Sequence, residues 1–171
     1  VYKRQGYYQM IFNYGDKKFI RKCKEAGVDG LIVVDLSFPD NKNFAKLCKK
    51  NSICFVQLIA PTTTLKRMKE IIRNSHEMIY MISTISTTGS ALKYSIKRII
   101  KNYNVIKKIK PSKNVVIGFG ITEKTISNLR SADGLVVGSA ICREITRSLK
   151  DRQNPVTNVS KLVRKLKNKI I

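Results

Sequence analysis

Two stretches near the C-terminus decide the fold: VVIGFGI at residues 115–121 and ADGLVVGSA at residues 132–140. Each is a short β-branched run that ends at a glycine, and each precedes a segment with helical character. Glycine lets the chain turn with positive φ and lets backbone N–H groups approach an anion closely. The last two strand–helix units of a (β/α)8 barrel hold phosphate in this way. The pattern therefore predicts that the ligand is a phosphorylated small molecule.

Apolar runs alternate with basic segments of helical period along the chain. Continuously apolar strands are typical of parallel sheets, and strands that alternate with helices indicate βαβ units. The apolar runs that predict strands are residues 30–34, 54–59, 78–82, 115–119 and 135–137, with the end of a sixth strand at 7–10. The segments that predict helices are residues 17–26, 40–50, 65–74, 93–109, 123–130 and 158–169. The sequence therefore predicts an α/β fold.

Five or six strands fit two architectures. A closed barrel needs eight strands and about 250 residues, whereas an open doubly wound sheet can be built from five or six strands. No GxGxxG turn opens a helix after the first strand, and the glycines suited to phosphate lie at the end of the chain. These features favour a partial TIM (β/α)8 barrel that lacks the first two strands and most of the third. We expect a single domain over residues 6–171.

The charge of the chain suggests a second class of function. The formal net charge is +23, and a charge of this size attracts polyanions. The lysines are spread over every predicted helix, however, and no aromatic residues are interleaved with them as they are on a base-stacking surface. Solvated helix faces are therefore favoured over a specific nucleic-acid site. A basic, non-enzymatic nucleic-acid-binding protein remains an alternative.

Membrane, metal and redox functions have little support in the sequence. No run of about 18 uncharged apolar residues predicts a membrane span. The four cysteines are scattered without metal-type spacing, which favours reduced thiols in a cytoplasmic protein; they are Cys23, Cys48, Cys54 and Cys142. His76 has no second histidine or acid at metal spacing and is expected at the surface. We therefore expect no metal and no cofactor in this chain.

Seven stretches in order resemble the tryptophan synthase alpha chain family. Besides the two glycine stretches, they read YYQMIFNYG at 7–15, EAGVDGLIVVDL at 25–36, LIAPTTT at 58–64, IYMIS at 79–83 and TTGS at 87–90. Many phosphate-binding barrels share one glycine stretch, but the ordered set is specific from about residue 6 to the end.

This resemblance implies a lyase that cleaves indole-3-glycerol phosphate to indole and glyceraldehyde 3-phosphate by a retro-aldol reaction without a cofactor. The indole would pass to the beta chain, which carries pyridoxal phosphate, in an α2β2 complex. The chemistry needs an acid and a base. In the family these are a glutamate and an aspartate at the second barrel strand, which would precede residue 1. No catalytic residue is therefore expected in this chain, and the chain alone is expected to be inactive. Another phosphate-binding TIM-barrel enzyme is the alternative.

The resemblance also implies how the substrate is bound. Its phosphate would be held by Gly118, Gly120, Gly138 and Ser139, which follow strands seven and eight of the barrel, and by Gly89 after strand six.

The indole ring would lie in an apolar pocket. Phe119 and Tyr80 correspond to walls of this pocket in the family, and Ile32, Val34 and Leu58 line it from neighbouring strands.

Three further residues are candidates near the substrate. Tyr7 corresponds to a tyrosine at the end of strand three, and Thr88 to a loop threonine that closes over the substrate. Asp35 follows an apolar run, where a carboxylate of a barrel is often functional. It could equally cap the next turn through an Asx hydrogen bond, and both interpretations remain open.

The sequence departs from the family pattern at three places. The family usually has Asn-Pro or Asn-Leu at positions 9 and 10 and proline at Ser37; both places face the beta chain, so altered coupling is expected. The strand-six loop lacks the family's arginine, at Thr84, and its first glycine, so altered closure is expected. Residues 1–5 are expected to be a non-native or frayed end, because the polar run Lys3-Arg4-Gln5 stands where the family has an apolar strand.

Overall fold

The computed structural model describes residues 7–83 and 96–170. The chain divides into two units. The first unit spans Val1–Ile59 and Thr64–Tyr80, and the second spans Ala60–Thr63 and Met81–Ile171.

The first unit alternates helices with short parallel strands. Its elements are α1 (Tyr8–Tyr14), α2 (Asp16–Glu25), β1 (Gly30–Leu31), α3 (Lys42–Lys50), β2 (Cys54–Phe55), β3 (Gln57–Ile59), α4 (Leu65–Asn74) and the start of β4 (Met78–Ile82). Strands β1 and β2 pair in parallel, with Gly30 opposite Cys54 and Leu31 opposite Phe55. Strand β3 is a neighbour of β4 in a second sheet. The predicted parallel α/β organisation is therefore present.

The core of the first unit lies between α2, α3 and the β1–β2 pair. Phe44 and Phe55 meet edge to face with their ring centroids 5.8 Å apart, a favourable aromatic arrangement. The buried residues of this cluster are Ile20, Cys23, Val33, Leu36, Phe44, Ala45, Cys48, Ile53 and Phe55. Because α2 and α3 bury their apolar stripes here, their lysines remain at the surface.

The second unit contains the end of β4, then α5 (Ile96–Ile109), β5 (Asn114–Gly118), a 3₁₀ helix (Ile126–Leu129), β6 (Gly134–Val136), α6 (Ser139–Lys150) and α7 (Pro155–Lys167). Strands β4, β5 and β6 are neighbours in that order. Strands β5 and β6 are parallel, with Gly118 opposite Val136. Val115 and Ile117 of β5 are fully buried. These strands carry the two glycine stretches at their carboxyl ends.

Helix ends follow local sequence rules where the chain offers them. Helix α2 ends in a Schellman motif, in which the N–H of Val28 donates to the Cys23 carbonyl and the N–H of Gly27 donates to the Lys24 carbonyl. Gly27 has φ +71°, as this motif requires. Helix α7 begins at Pro155, three residues before the predicted start, because Asn154 accepts hydrogen bonds from the N–H groups of Val156 and Thr157.

The structure corrects four sequence predictions about the elements. Residues 8–10, predicted as the end of a strand, begin helix α1. The strand predicted over 54–59 is divided at Val56, and that predicted over 30–34 is reduced to two residues. The helix predicted over 123–130 is a single 3₁₀ turn of four residues. None of the helices in the described part of the chain is long and apolar enough to cross a membrane.

Candidate phosphate-binding site

The two glycine stretches form neighbouring turns at the same edge of the sheet in the second unit. Gly118 of β5 lies opposite Val136 of β6 in a parallel pair, and such strands are about 4.8 Å apart. Gly120 lies two residues after Gly118, and Gly138 lies two residues after Val136. Because parallel strands end at the same edge, the turns that contain these glycines leave the sheet side by side. The first turn is defined here as residues 118–120 and the second as residues 137–139.

The first turn has a left-handed backbone. Phe119 has φ +71° and Gly120 has φ +64°, and a positive φ is uncommon for a residue other than glycine. Consecutive residues in such turns can direct backbone N–H groups into an anion-binding concavity. Gly118 is buried, whereas Phe119 and Gly120 are partly exposed. The turn therefore presents its backbone at the surface.

The second turn leads into the N-terminus of α6. Gly138 is the N-cap residue, and no side chain caps the helix there. The first turn of α6 contains no acidic residue, so the N–H groups and the positive end of the helix dipole favour an anion. A Cβ atom added at Gly138 would meet nothing within 4 Å, which leaves open space beside the backbone. Ser139 is the first residue of α6 and is partly exposed.

Hydrogen bonds to Asp133 fix the opposite ends of β5 and β6. The Asp133 carboxylate accepts from the Val115 N–H at 2.8 Å, from Lys107 Nζ at 2.9 Å and from the Tyr103 hydroxyl at 3.2 Å. Partial burial opposes ionisation of Asp133, but the hydrogen bonds from Lys107, Val115 and Tyr103 outweigh it and hold the pKa below its ordinary value. The carboxylate therefore anchors strand register away from the glycine turns.

The residues expected to line the indole pocket lie on several strands. In the first unit, Ile32 and Val34 follow β1 and are about half exposed, at 49% and 52%. Leu58 of β3 and Tyr80 of β4 are half-buried, and burial raises the pKa of the Tyr80 hydroxyl. Phe119 belongs to the first turn of the second unit.

One apolar groove of the first unit contains two of the predicted site residues. Tyr7 and Ile32 line a cavity of about 670 Å³ together with Met10, Ile11, Tyr14, Phe19, Lys22, Leu31 and Val33. Val34, Leu58 and Tyr80 are not among its lining residues. The structure therefore brings Tyr7 and Ile32 together. Thr84, Thr88 and Gly89 lie outside the described residues.

Asp35 makes a contact that neither sequence interpretation specified. Its carboxylate accepts the backbone N–H of Tyr8 with both oxygens, at 2.9 and 3.0 Å. The side chain therefore caps a helix that begins 27 residues earlier. Ser37 is exposed, and its hydroxyl lies 3.4 Å from Arg67 Nη2. Gln9 and Met10 are exposed on α1.

Sequence reasoning missed two hydroxyl groups at the first turn. Ser83, which follows β4, is fully buried and hydrogen-bonds to the Gly118 carbonyl. Thr125 hydrogen-bonds to the Gly120 carbonyl. Ser83 lies in the stretch 79–83 that carried the family resemblance, but one serine at a strand end does not reveal a partner 35 residues away.

The side chains of the described residues include no group of three or more His, Cys, Asp or Glu that could hold a metal ion. The four cysteines are free, and burial raises the pKa of the Cys48 thiol to about 12. His76 was expected at the surface but is half-buried, and its Nδ1 accepts the Phe55 N–H at 3.0 Å. The hydrogen bond from Phe55 to His76 joins β2 to the segment before β4 in the first unit.

Comparison with known proteins identifies one family. A family model described as "Tryptophan synthase alpha chain" matches residues 5–171. A tryptophan synthase alpha chain from Pelagibacter ubique is 64% identical over 165 residues, which are 96% of this chain and 62% of that protein. One from Aquifex aeolicus is 37% identical over 163 residues, 94% of this chain and 60% of that protein. The chain thus spans about three fifths of the length of these relatives.

Solved structures agree with the sequence comparison. The structure of tryptophan synthase subunit alpha from Legionella pneumophila superposes with a TM-score of 0.79 at 26% identity and covers 96% of this chain and 60% of that chain. A Pyrococcus furiosus structure, whose title concerns mutual activation of the tryptophan synthase α2β2 complex, has a TM-score of 0.78 at 31% identity. It covers 95% of this chain and 64% of that chain.

Proposed function

The chain belongs to the tryptophan synthase alpha chain family, and on this premise we propose that it serves tryptophan biosynthesis by binding the phosphate of indole-3-glycerol phosphate. The reaction proposed for the whole alpha chain is the lyase reaction that releases indole and glyceraldehyde 3-phosphate. The residues proposed to hold the phosphate are Gly118, Gly120, Gly138 and Ser139, with Gly89 as a further contact.

One observation supports this proposal most directly, namely the register of β5 and β6. Gly118 lies opposite Val136 in a parallel pair, so the first and second turns are adjacent at one edge. The second turn offers a helix N-terminus without a side-chain cap and with open space beside Gly138. A phosphate bound there would receive backbone N–H groups and would meet no acidic residue in the first turn of α6.

We further propose that this chain alone does not catalyse the reaction. General acid and base groups typically contribute factors of about 10²–10⁴ each. The family's glutamate and aspartate at the second barrel strand have no counterparts among these 171 residues. The residues proposed to line the indole pocket are Ile32, Val34, Leu58, Tyr80 and Phe119. Tyr7 and Thr88 are proposed as further substrate-binding residues, with Asp35 in a supporting position.

The proposed architecture is a partial TIM barrel in a cytoplasmic protein, with residues 6–171 in one domain. The coverage of about three fifths of the related proteins fits a barrel that lacks the first two strands and most of the third.

The proposed partner is the beta chain, which would hold pyridoxal phosphate and receive the indole. Among the structural relatives, the Pyrococcus furiosus structure is titled as an α2β2 complex. Gln9, Met10 and Ser37 are exposed here, and they depart from the family residues at positions that face the beta chain. We therefore expect altered coupling to the beta chain. No membrane and no specific nucleic acid is proposed as a partner.

A titration with glycerol 3-phosphate tests the phosphate proposal. We expect calorimetry to show binding of glycerol 3-phosphate and no binding of glycerol, which lacks only the phosphate. Because the +23 charge attracts anions in general, the titration is repeated with sulfate as competitor and with the variant Gly138→Ala. Equal binding by the variant and the wild-type chain would show that the anion is not held at the start of α6, and displacement by sulfate would show that the general positive charge holds it.

An assay of indole release tests the proposed lack of catalysis. The chain is incubated with indole-3-glycerol phosphate, and indole is measured with a complete alpha chain as the positive control. We expect no indole above background. Indole released by the chain in proportion to its concentration would show that other residues replace the missing acid and base.

A further inference from the structure

Three consecutive carbonyl groups of the first turn are held by two hydroxyl side chains. The Ser83 hydroxyl lies 2.7 Å from the Gly118 carbonyl oxygen and also hydrogen-bonds to the Phe119 carbonyl oxygen. The Thr125 hydroxyl donates to the Gly120 carbonyl oxygen at 2.9 Å. The Ser83 N–H adds a second hydrogen bond to the Gly118 carbonyl at 3.0 Å. Every carbonyl of residues 118–120 therefore has a partner within the second unit.

Holding these carbonyls also directs the N–H groups that follow them. A peptide group is planar and trans, so the C=O of one residue and the N–H of the next point in opposite directions. With the Gly118 and Phe119 carbonyls turned toward Ser83, the N–H groups of Phe119 and Gly120 point away from Ser83. With the Gly120 carbonyl turned toward Thr125, the N–H of Ile121 points away from Thr125. The two hydroxyls thus set the direction of three successive amide donors.

Both hydroxyl groups belong to hydrogen-bond networks around the turn, and that of Thr125 includes the Thr122 hydroxyl and carbonyl. Ser83 has no exposed surface, and a buried hydroxyl that lost its acceptor would carry a desolvation cost. Thr125 Oγ1 also accepts the Thr122 N–H at 2.9 Å, which closes the loop behind Gly120. Phe119 holds a positive φ that is unfavourable for a residue with a Cβ. The hydrogen bonds to Ser83 and Thr125 stabilise the backbone of this turn.

We propose that Ser83 and Thr125 are positioning residues that hold the first turn in the conformation that binds phosphate, although neither touches the phosphate. The inference rests on the proposed phosphate function of this turn. If the Ser83 or the Thr125 hydroxyl is removed, the left-handed turn samples other conformations. Phosphate binding must then order the turn, and the lost conformational entropy lowers the affinity. Affinity for phosphate then falls while the fold is kept.

Matched substitutions separate positioning from general stability. Thr125→Val removes the hydroxyl with almost no change in shape, and Thr125→Ser keeps the hydroxyl. Ser83→Ala removes the second hydroxyl and leaves the backbone N–H bond to Gly118. The control is Ser148→Ala, because Ser148 is also fully buried in the second unit and its hydroxyl donates to the Glu144 carbonyl at 2.8 Å within α6.

The measurements are the Kd for glycerol 3-phosphate by calorimetry, the free energy of unfolding by urea, and amide shifts of Phe119 and Gly120 in ¹⁵N spectra. We expect Ser83→Ala and Thr125→Val to raise the Kd about threefold to tenfold, the effect of losing one hydrogen bond. Their amide signals should shift before ligand is added. Thr125→Ser should bind like wild type, and Ser148→Ala should lose stability without a change in Kd.

The outcomes distinguish this inference from the proposed function. If the wild-type chain does not bind glycerol 3-phosphate, the phosphate function fails, and the inference fails with it. If the wild type binds and the folded Thr125→Val variant binds equally well, only the positioning role is wrong. Should Ser83→Ala not fold, the comparison of Thr125→Val with Thr125→Ser decides alone. An equal loss of affinity in Ser148→Ala would also overturn the inference, because stability alone would then explain the effect.

Discussion

Asp35 accepts the backbone N–H of Tyr8 through both carboxylate oxygens, at 2.9 and 3.0 Å, although the two residues are 27 positions apart. Tyr8 is the first residue of α1, and the N-cap residue Tyr7 makes no side-chain capping bond. The carboxylate satisfies one of the N–H groups that a helix leaves unpaired at its start, and its charge suits the positive end of the helix dipole. Asp35 thus joins the loop after β1 to the start of α1.

Removing this cap should destabilise the first unit. We expect Asp35→Ala to lower the free energy of unfolding by about 0.5–2 kcal/mol, the usual cost of a lost helix cap. Urea unfolding followed by circular dichroism measures the change. The control is Glu77→Ala, which removes an exposed carboxylate from the same unit and should stay within about 0.5 kcal/mol of wild type. Equal unfolding midpoints for the two variants would contradict the capping role.

The stability of the second unit should depend on the charge of Asp133. Its pKa is held below the ordinary value in the folded state because the hydrogen bonds from Lys107, Val115 and Tyr103 outweigh partial burial. The unfolded chain therefore binds the proton first as the pH falls. The stabilisation is complete above the ordinary aspartate pKa of about 3.9 and is lost as the pH falls through the lower, folded-state pKa.

Asp133→Asn tests this dependence. We expect the substitution to lower the free energy of unfolding at neutral pH by about 1–2 kcal/mol, since hydrogen bonds to a charged group are lost. It should also flatten the fall in stability of the wild type in the acidic range below about pH 4. Urea unfolding at several pH values measures both effects. A parallel fall in wild type and variant would show that other carboxylates dominate acid unfolding.

Much of the fold follows from short-range patterns in the sequence. The β-branched runs that end at Gly118 and Val137 predict β5 and β6, which pair as neighbouring parallel strands. The helix predicted over 17–26 corresponds to α2, which is followed by Gly27, the left-handed residue that the end of the helix requires. In each of these cases the residues that determine the structure lie within a few positions of it.

Three features that the sequence did not reveal depend on partners far along the chain. Residues 7–10 can be read as strand or helix, and Asp35, 27 positions away, caps the helix. His76 was expected at the surface, but the Phe55 N–H 21 positions earlier donates to its ring. Ser83 was not singled out, because its acceptor in the first turn lies 35 positions away. Spacing rules for helices and strands contain no information about such contacts.

Cys48 of the first unit should resist alkylation in the folded protein. Burial raises the pKa of Cys48 to about 12, with a smaller contribution from Cys23 nearby, and a thiol reacts as its thiolate. Cys142 is exposed. With iodoacetamide at about pH 8, where an ordinary cysteine is partly ionised, mass spectrometry should find Cys142 modified first and Cys48 protected. Unfolding in urea should expose both, and rapid native modification of Cys48 would contradict the described core.

Alanine at two glycines of the second unit should affect different quantities: stability at Gly134 and affinity for phosphate at Gly138. A Cβ at Gly134 would lie 3.0 Å from Val116 Cγ1, whereas a Cβ at Gly138 would meet nothing within 4 Å. We expect Gly134→Ala to lower the free energy of unfolding by about 1 kcal/mol through overpacking and to keep the affinity for glycerol 3-phosphate. Gly138→Ala should change stability by less than about 1 kcal/mol, because its methyl group enters open space.

The same methyl group of Gly138→Ala would occupy the space proposed for the phosphate at the start of α6. Because charge-assisted hydrogen bonds would be lost, we expect the Kd for glycerol 3-phosphate to rise about tenfold or more. For both variants, calorimetry measures the Kd for glycerol 3-phosphate and urea unfolding measures the free energy of unfolding. Wild-type affinity in Gly138→Ala would place the phosphate elsewhere, since a ligand held by the N–H groups at this helix start cannot tolerate a methyl group between them and itself.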